Sequence, residues 1–371
     1  MNVGIIGGGV VGAAIAYRLS KMPGVAIHVC ERNPPQRLES TGAALGVLAA
    51  VISSKLKGKH LKLRLESLRL YEALIPELME RTGLDIPYNR HGILQLFFDA
   101  EDFERWSKTK AVRQQQGFTL ECWPRETLVE RFPELAAARS RDTGAIAVGA
   151  VYSPQDRQLD PTALTRSLIR GAIQNGAQFH FNTVATDFCV EAVQTRQRVA
   201  RLCTSQDAIP VDWVVIAAGL GSAALTQSLA QPIQIRPVLG QALHLHCPQV
   251  LRPDSPVIDG RDVHLVPLSR DELWVGATVE FPDEKAVLEP NPADLERVRQ
   301  QAIALYPALA DAEILRTWHG LRPRPDERAA PVIEQLPGYQ NVLIATGHYR
   351  NGVLLAPVTA EKIRAYLEAA M

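Results

Sequence analysis

Three observations predict an α/β fold of two domains, each discontinuous in the chain. A glycine-rich turn joins an apolar strand to a helix at the N-terminus. Apolar strands closing on small residues recur in the middle of the chain and near its end. Antiparallel-looking strands fill the two intervals between them. The first set predicts a Rossmann-like domain, the second a mainly antiparallel-sheet domain. At 371 residues the chain is long enough for both.

Composition sets the outer limits. Hydrophobic residues at 46% and charged residues at 22% are ordinary for a soluble globular protein and exclude a disordered, collagen-like or coiled-coil chain. Forty basic residues balance forty acidic ones, so no bulk charge draws the protein to nucleic acid or an anionic membrane. Cys30, Cys122, Cys189, Cys203 and Cys247 are scattered without a C-x-x-C. That predicts neither a zinc site nor a disulfide framework, and it fits a cytoplasmic location. Residues 3–19 are apolar, but their glycines and the following Lys21 and Pro23 argue against a signal peptide or a membrane span.

Residues 2–6 read as a short buried strand. Gly7, Gly9 and Gly12 follow in G-x-G-x-x-G spacing around Val10 and Val11, and residues 13–21 continue as a helix. Residues 25–30 are a second strand, closed by Glu31, 19 residues after Gly12. This is a dinucleotide-binding βαβ unit in its full context. Gly7 permits the tight turn, Gly9 lets the backbone approach a pyrophosphate, and Gly12 lets the helix sit close on the strand. The helix N-terminus offers free N–H groups to phosphates. Glu31 can accept from both ribose hydroxyls and would repel a 2′-phosphate. The unit alone leaves FAD and NAD both open.

A loop is expected from Glu31 to about residue 60, with small residues at 40–46 suited to close approach of a flat ligand. Residues 60–82 read as a long helix, with Leu61, Leu65, Leu68, Leu74, Ile75 and Leu78 at helical spacing and Pro76 as a kink. Lys55, Lys57, Lys59, Lys62 and Arg64 read as a solvated face. Residues 92–98 read as a strand, 101–116 as a polar surface helix, 125–132 as a short helix and 145–152 as a strand. Residues 161–175 form a helix with Asp160 as N-cap and Gly176 after its end. Strands are expected at 178–190, 198–216, 238–246, 263–268, 272–279 and 342–346, and helices at 292–306 and 357–370. The loop 347–352 precedes the last helix. These elements place one domain at 1–82, 146–235 and 330–371, and the other at 83–145 and 236–329. His244 and His246 alternate on a strand with no third ligand spaced to help, and read as ordinary strand histidines.

Gly4-Ile5-Ile6-Gly7-Gly8-Gly9-Val10-Val11-Gly12 resembles the start of the D-amino-acid oxidase family of FAD enzymes. His319-Gly320-Leu321-Arg322-Pro323, Pro331-Val332-Ile333 and the string Gly347-His348-Tyr349-Arg350-Asn351-Gly352-Val353-Leu354-Leu355-Ala356-Pro357 resemble its glycine oxidase branch most. The resemblance covers essentially the whole chain. It implies an FAD-binding Rossmann-like domain beside a substrate-binding domain. It also implies oxidation of the C–N bond of glycine, sarcosine or a small D-amino acid to an imine, by hydride transfer to flavin N5. Oxygen or another acceptor then takes the electrons. For glycine, the imine would suit thiamine thiazole synthesis. No cysteine follows Cys247, where related enzymes tether their flavin, so noncovalent FAD is implied.

By the same resemblance, Glu31, with Arg32 beside it, would hold the adenosine ribose, and Ser40 and Thr41 would contact the FAD phosphates. Ala43, Ala44, Gly46 and Val47 would line the isoalloxazine ring. The Val184 backbone would meet adenine, and Ala218 and Gly219 would lie near the cofactor. His348, Arg350, Asn351, Gly352, Val353 and Leu354 would close over the pyrimidine end. Arg322 matches the arginine that anchors the substrate carboxylate, and Arg350 a second arginine nearby; both would also border the cofactor. His264 stands where glycine oxidase has a tyrosine that helps hold that carboxylate. Val279 replaces a methionine, and Leu220-Gly221 stand where a tryptophan is usual. Four readings remain: an amine oxidase, an amine dehydrogenase serving another acceptor, a flavin-binding protein without turnover, and an NAD-linked dehydrogenase. The oligomeric state is left open, an oligomer included.

Overall fold

The computed structural model describes residues 1–248, 251–252, 254–260, 263–282 and 288–370. One sheet has six strands in the order Val332–Gln335, Val342–Thr346, Trp213–Ile216, Asn2–Ile6, Ala26–Cys30 and Gln178–His180. Its neighbours run parallel except at the Val332–Gln335 edge. The central strands are apolar on both faces because helices and chain cover both. The helix Val10–Leu19 packs against Pro161–Gln174 and Gly352–Glu368. Asp160 caps the second of these, accepting from the N–H groups of Thr162 and Ala163 at 2.7 and 3.0 Å.

The other large sheet has eight strands: Glu313–Pro325, Ile235–His246, Glu272–Gly276, His264–Pro267, Val257–Asp259, Ile93–Phe97, Gly149–Ser153 and Glu121–Pro124. Its pairs are antiparallel except Val257–Asp259 on Ile93–Phe97. The predicted α/β class, with one parallel-rich and one largely antiparallel sheet, is the observed one.

Several elements differ from expectation. Gly149–Ser153 falls in the interval assigned to the first domain, yet it pairs within the eight-stranded sheet. The expected loop 31–60 contains a short helix, Glu39–Gly42, and the strand Val47–Leu48. The expected polar surface helix is two helices, Ala100–Glu104 and Trp106–Gln115, and it buries Trp106, Thr109 and Arg113. Arg64 is not on a solvated face; it is largely buried and bonds the Ala49 carbonyl. Glu313–Pro325 has no counterpart in the sequence reading. It is an edge strand, so it tolerates Pro323 and Pro325 and carries little apolar alternation.

The last helix starts at Gly352, five residues before Pro357. Pro357 has no N–H for the Val353 carbonyl. The Tyr71 hydroxyl supplies that donor at 2.5 Å, and the Ser67 hydroxyl donates to the Leu354 carbonyl at 2.6 Å. The helix Lys59–Thr82 thus repairs the defect in its neighbour. All five cysteines are thiols, with the sulfurs of Cys189 and Cys203 3.2 Å apart. No described helix is long and apolar enough to cross a membrane.

Candidate functional site

A cavity of about 1280 Å³ lies at the carboxyl ends of the parallel strands. Ile6, Glu31, Ala217 and Thr346 mark those ends, and Gly240, His264, Gly320 and Arg322 of the eight-stranded sheet form a facing wall. Crevices at strand carboxyl ends are where open α/β sheets bind ligands.

At the N-terminal turn, Gly7 has φ +105°, and a Cβ there would sit 2.6 Å from the Ala217 carbonyl oxygen. A Cβ on Gly12 would lie 1.9 Å from the Gly7 oxygen. Gly12 therefore sets the helix against the turn and does not line the cavity, whereas Gly7, Gly9, Val10 and Val11 do. Thr41 Oγ1 accepts the Val10 N–H at 3.1 Å. That places Thr41 at the helix N-terminus, where phosphates are favoured. The Ser40 hydroxyl donates to the Leu321 carbonyl at 2.6 Å.

Glu31 is fixed by its own surroundings. Oε2 accepts from Gly8 N–H at 2.7 Å, and Oε1 accepts from Asn33 N and Nδ2 at 2.9 and 3.0 Å. Asn33 lines the cavity and was not singled out in the sequence; its signal was its place two residues after the acid. Arg32 pairs with Glu39 at 2.6 Å at the cavity wall. Val184 lines the cavity, but its N–H is donated to Ser205 Oγ and its carbonyl accepts the Ser205 N–H. Its backbone N–H is therefore committed to protein, and its carbonyl keeps one lone pair.

Ala43, Ala44, Gly46, Val47, Ala218 and Gly219 all line the cavity. Gly46 has φ +73°, and a Cβ there would meet the Leu159 oxygen at 1.8 Å. Trp318 Nε1 donates to the Ala43 carbonyl at 3.1 Å, which ties this wall to the second sheet. Near the C-terminus, His348, Arg350, Asn351, Gly352 and Val353 border the cavity. Leu354 does not; it is 2% exposed, in the core under the helix. The helix beginning at Gly352 has no side-chain cap, so its first N–H groups are directed to the cavity end.

His348 is buried, with Nε2 2.9 Å from Thr359 Oγ1. The Thr359 proton goes to the Leu355 carbonyl at 2.8 Å, so the imidazole must donate from Nε2. Burial, and then the neighbouring His60, lower its pKa from 6.5 to about 4. The unfolded chain binds a proton here that the folded chain refuses. Stability is therefore expected to fall as pH drops from 6.5 to 4, by up to about 3 kcal/mol from this group. Urea unfolding at both pH values should show a smaller fall in His348→Gln; an equal fall in the two proteins counts against the assignment.

Arg322 reaches into the facing wall. Nη1 donates to the carbonyls of Leu239 and Thr278 at 2.9 and 3.0 Å. Among the described residues Nε and Nη2 have no hydrogen-bond partner, so the rest of the guanidinium is left for a ligand. Burial, and then the charge of Arg350, lower its proton affinity. A guanidinium stays charged all the same, and a partly desolvated one favours an anion. Gly240 makes room for it: a Cβ there would lie 2.2 Å from Nη2. Gly240→Ala is expected to push the guanidinium off its carbonyls. KM for a carboxylate substrate should rise roughly tenfold, the cost of about one charged hydrogen bond, with flavin content unchanged. Steady-state kinetics on the flavin-loaded protein checks this.

His264 lines the same cavity, as does Val279. Beside His264 lies Asp259, and beyond Asp259 lies Gln95; the sequence singled out neither. His244, by contrast, faces Glu272 at 2.8 Å and stands outside the cavity.

Comparison with known proteins follows the same lines. The family described as FAD dependent oxidoreductase (DAO) matches residues 2–366. The bifunctional protein ThiO/ThiG of Nostoc sp. is 32% identical over 368 residues, covering 98% of this chain and 52% of that protein. The chain thus spans about half the length of this relative. A glycine oxidase of Geobacillus kaustophilus is 28% identical over 359 residues, covering 96% of this chain and 90% of that protein. The crystal structure of glycine oxidase from Geobacillus kaustophilus superposes with a TM-score of 0.84 at 26% identity, over 99% of this chain and 94% of that one. With the glycine turn, the acid after the second strand and the C-terminal loop converging on one cavity, and with the match running from residue 2 to residue 366, the chain belongs to the FAD dependent oxidoreductase (DAO) family.

Proposed function

We propose that the protein oxidises the C–N bond of a small amino acid or secondary amine to an imine, using noncovalently held FAD, in the manner of a glycine oxidase. Water then hydrolyses the imine, and oxygen is the acceptor we favour. The observation that carries the reading is Arg322, a half-buried cation that lines the cavity and whose Nε and Nη2 have no hydrogen-bond partner among the described residues. A carboxylate fits that fork through two parallel hydrogen bonds.

The residues present fit FAD. The cradle at Gly7, Gly9 and Gly12 admits no Cβ without displacement at two of its three positions. Glu31 Oε2 keeps a lone pair for a ribose hydroxyl beyond the bond it accepts from Gly8, whereas Oε1 already accepts two bonds from Asn33. The uncapped helix at Gly352 puts partial positive charge at the opposite end. When bound, the flavin supplies a two-electron acceptor for the substrate hydride. The chain's own residues do the rest: Arg322 fixes the carboxylate, and Ala43, Ala44, Gly46 and Val47 keep the wall flat and close. Orientation of this kind accounts for a large part of the rate in such transfers. We also retain the division into an FAD-binding and a substrate-binding domain, with 149–153 moved to the latter on its strand pairing. The five thiols support a reducing, cytoplasmic setting.

The test is an anaerobic titration of the purified protein, followed by its visible flavin band, with glycine, sarcosine, D-alanine, D-proline and larger amines. Bleaching by one of them is expected, and reoxidation by air should release hydrogen peroxide. A flavin band that no amine bleaches would sink the proposal and favour a flavin-binding protein without turnover.

A further inference from the structure

Gln95, Asp259 and His264 sit at one level of three adjoining strands. Asp259 is in register with Gln95 on one side and with His264 on the other, and His264 is in register with Gly276. All three polar side chains border the cavity. His264 Nδ1 is buried, makes no hydrogen bond among the described residues and lies 3.6 Å from Asp259 Oδ1. Two residues beyond Gly276, the Thr278 carbonyl holds the Arg322 guanidinium. His264 is therefore one strand away from the segment that positions the carboxylate anchor.

This inference rests on the proposed function. An aliphatic amine arrives at neutral pH as an ammonium, and its C–H cannot leave as hydride until the nitrogen lone pair is free. We propose that His264, oriented by Asp259, takes that proton. A small rotation closes the 3.6 Å gap to a hydrogen bond, with Nδ1–H donating to the carboxylate. Nε2 is then the bare nitrogen, facing the cavity. One ammonium N–H bond breaks and one Nε2–H bond forms. The electron pair stays on the substrate nitrogen, and the hydride leaves the adjacent carbon for the flavin. Asp259 balances the imidazolium, as a carboxylate does for histidine in other dyads.

The surrounding charges are compatible with this. Strand Val257–Asp259 contributes Asp259. Strand Glu272–Gly276, on the other side, carries Glu272 at its far end, bonded to His244. Elsewhere on the cavity lining, Arg32, Arg37, Arg64, Arg105, Lys108, Arg322 and Arg350 are cations, and Glu31, Glu39 and Asp102 are carboxylates. The cations favour loss of the ammonium proton, and the Asp259 carboxylate stands 3.6 Å from His264 Nδ1.

The test follows anaerobic flavin reduction by the best amine from about pH 6 to about pH 10, in the native protein, His264→Gln and Asp259→Asn, each at matched flavin content. At neutral pH, His264→Gln should be slower by about 100-fold and Asp259→Asn by less. Both should recover at high pH, where the amine is neutral without help. A second readout needs no turnover: ¹⁵N NMR of histidine-labelled protein should show His264 protonated at Nδ1, and Asp259→Asn should lose that preference. If native flavin is bleached but the His264→Gln profile superimposes on the native one, the dyad is overturned and the proposed function stands. An Nε2–H tautomer in the native protein also overturns it. If no amine bleaches native flavin, the proposed function has failed, and the dyad fails with it.

Discussion

Replacing Arg322 by alanine is expected to lower kcat/KM by about 100- to 10,000-fold, the loss of two charge-assisted hydrogen bonds at about 1.5–3 kcal/mol each. The effect should not be confined to KM. The guanidinium sets where the carboxylate sits, and the carboxylate sets where the Cα–H points, so kcat should fall as well. Truncation also removes Nη1 from the Leu239 and Thr278 carbonyls, of which Leu239 still accepts the Glu280 N–H. Part of the loss would then be structural. Arg322→Lys separates the two contributions. An ammonium can still satisfy a carbonyl but cannot offer the planar fork, so it should keep most of the stability and lose most of the activity. The measurement is the reductive half-reaction of both variants beside their urea midpoints. If Arg322→Lys retains native kcat/KM, the carboxylate is anchored elsewhere.

The sequence made the cofactor half of the site readable because its determinants are local. Gly7, Gly9, Gly12 and Glu31 fall within one βαβ unit, and each has a steric or hydrogen-bonding reason that spacing alone expresses. The substrate half was legible only through motif. Arg322 lies on an edge strand that shows no strand pattern, and the carbonyls that hold it belong to Leu239 and Thr278, far away in the chain. Asp259 was missed because it ends a three-residue strand whose register with Gln95 and His264 depends on pairings between distant segments. The start of the last helix was misplaced for a different reason. Pro357 reads as a first-turn proline, and nothing nearby in sequence announces that Tyr71 replaces the donor it lacks.

The second large effect is expected at Asp156, a fully buried carboxylate that the sequence did not single out. It accepts the N–H groups of Ala50, Val51 and Ile52 at 2.7, 2.8 and 2.7 Å. From the other side Arg113, also fully buried, donates to the carbonyls of Val51, Ser53 and Lys55 at 2.9, 2.7 and 2.7 Å. Burial raises the Asp156 carboxyl pKa, and the N–H donors pull against that rise. Opposite charges thus clamp residues 50–55, and Ile52, Ser53 and Ser54 of that segment line the cavity. Asp156→Ala leaves three N–H groups unpaired and a buried guanidinium without its counter-charge. The expected loss of stability is about 3–5 kcal/mol. Asp156→Asn keeps one acceptor oxygen and should lose about 1–3 kcal/mol. Urea midpoints at unchanged slope would report this. Since the clamped segment is cavity wall, Asp156→Asn should also raise KM in the population that remains folded. A loss under about 1 kcal/mol in the alanine variant would mean that Arg113 and Arg64 hold the segment without the carboxylate.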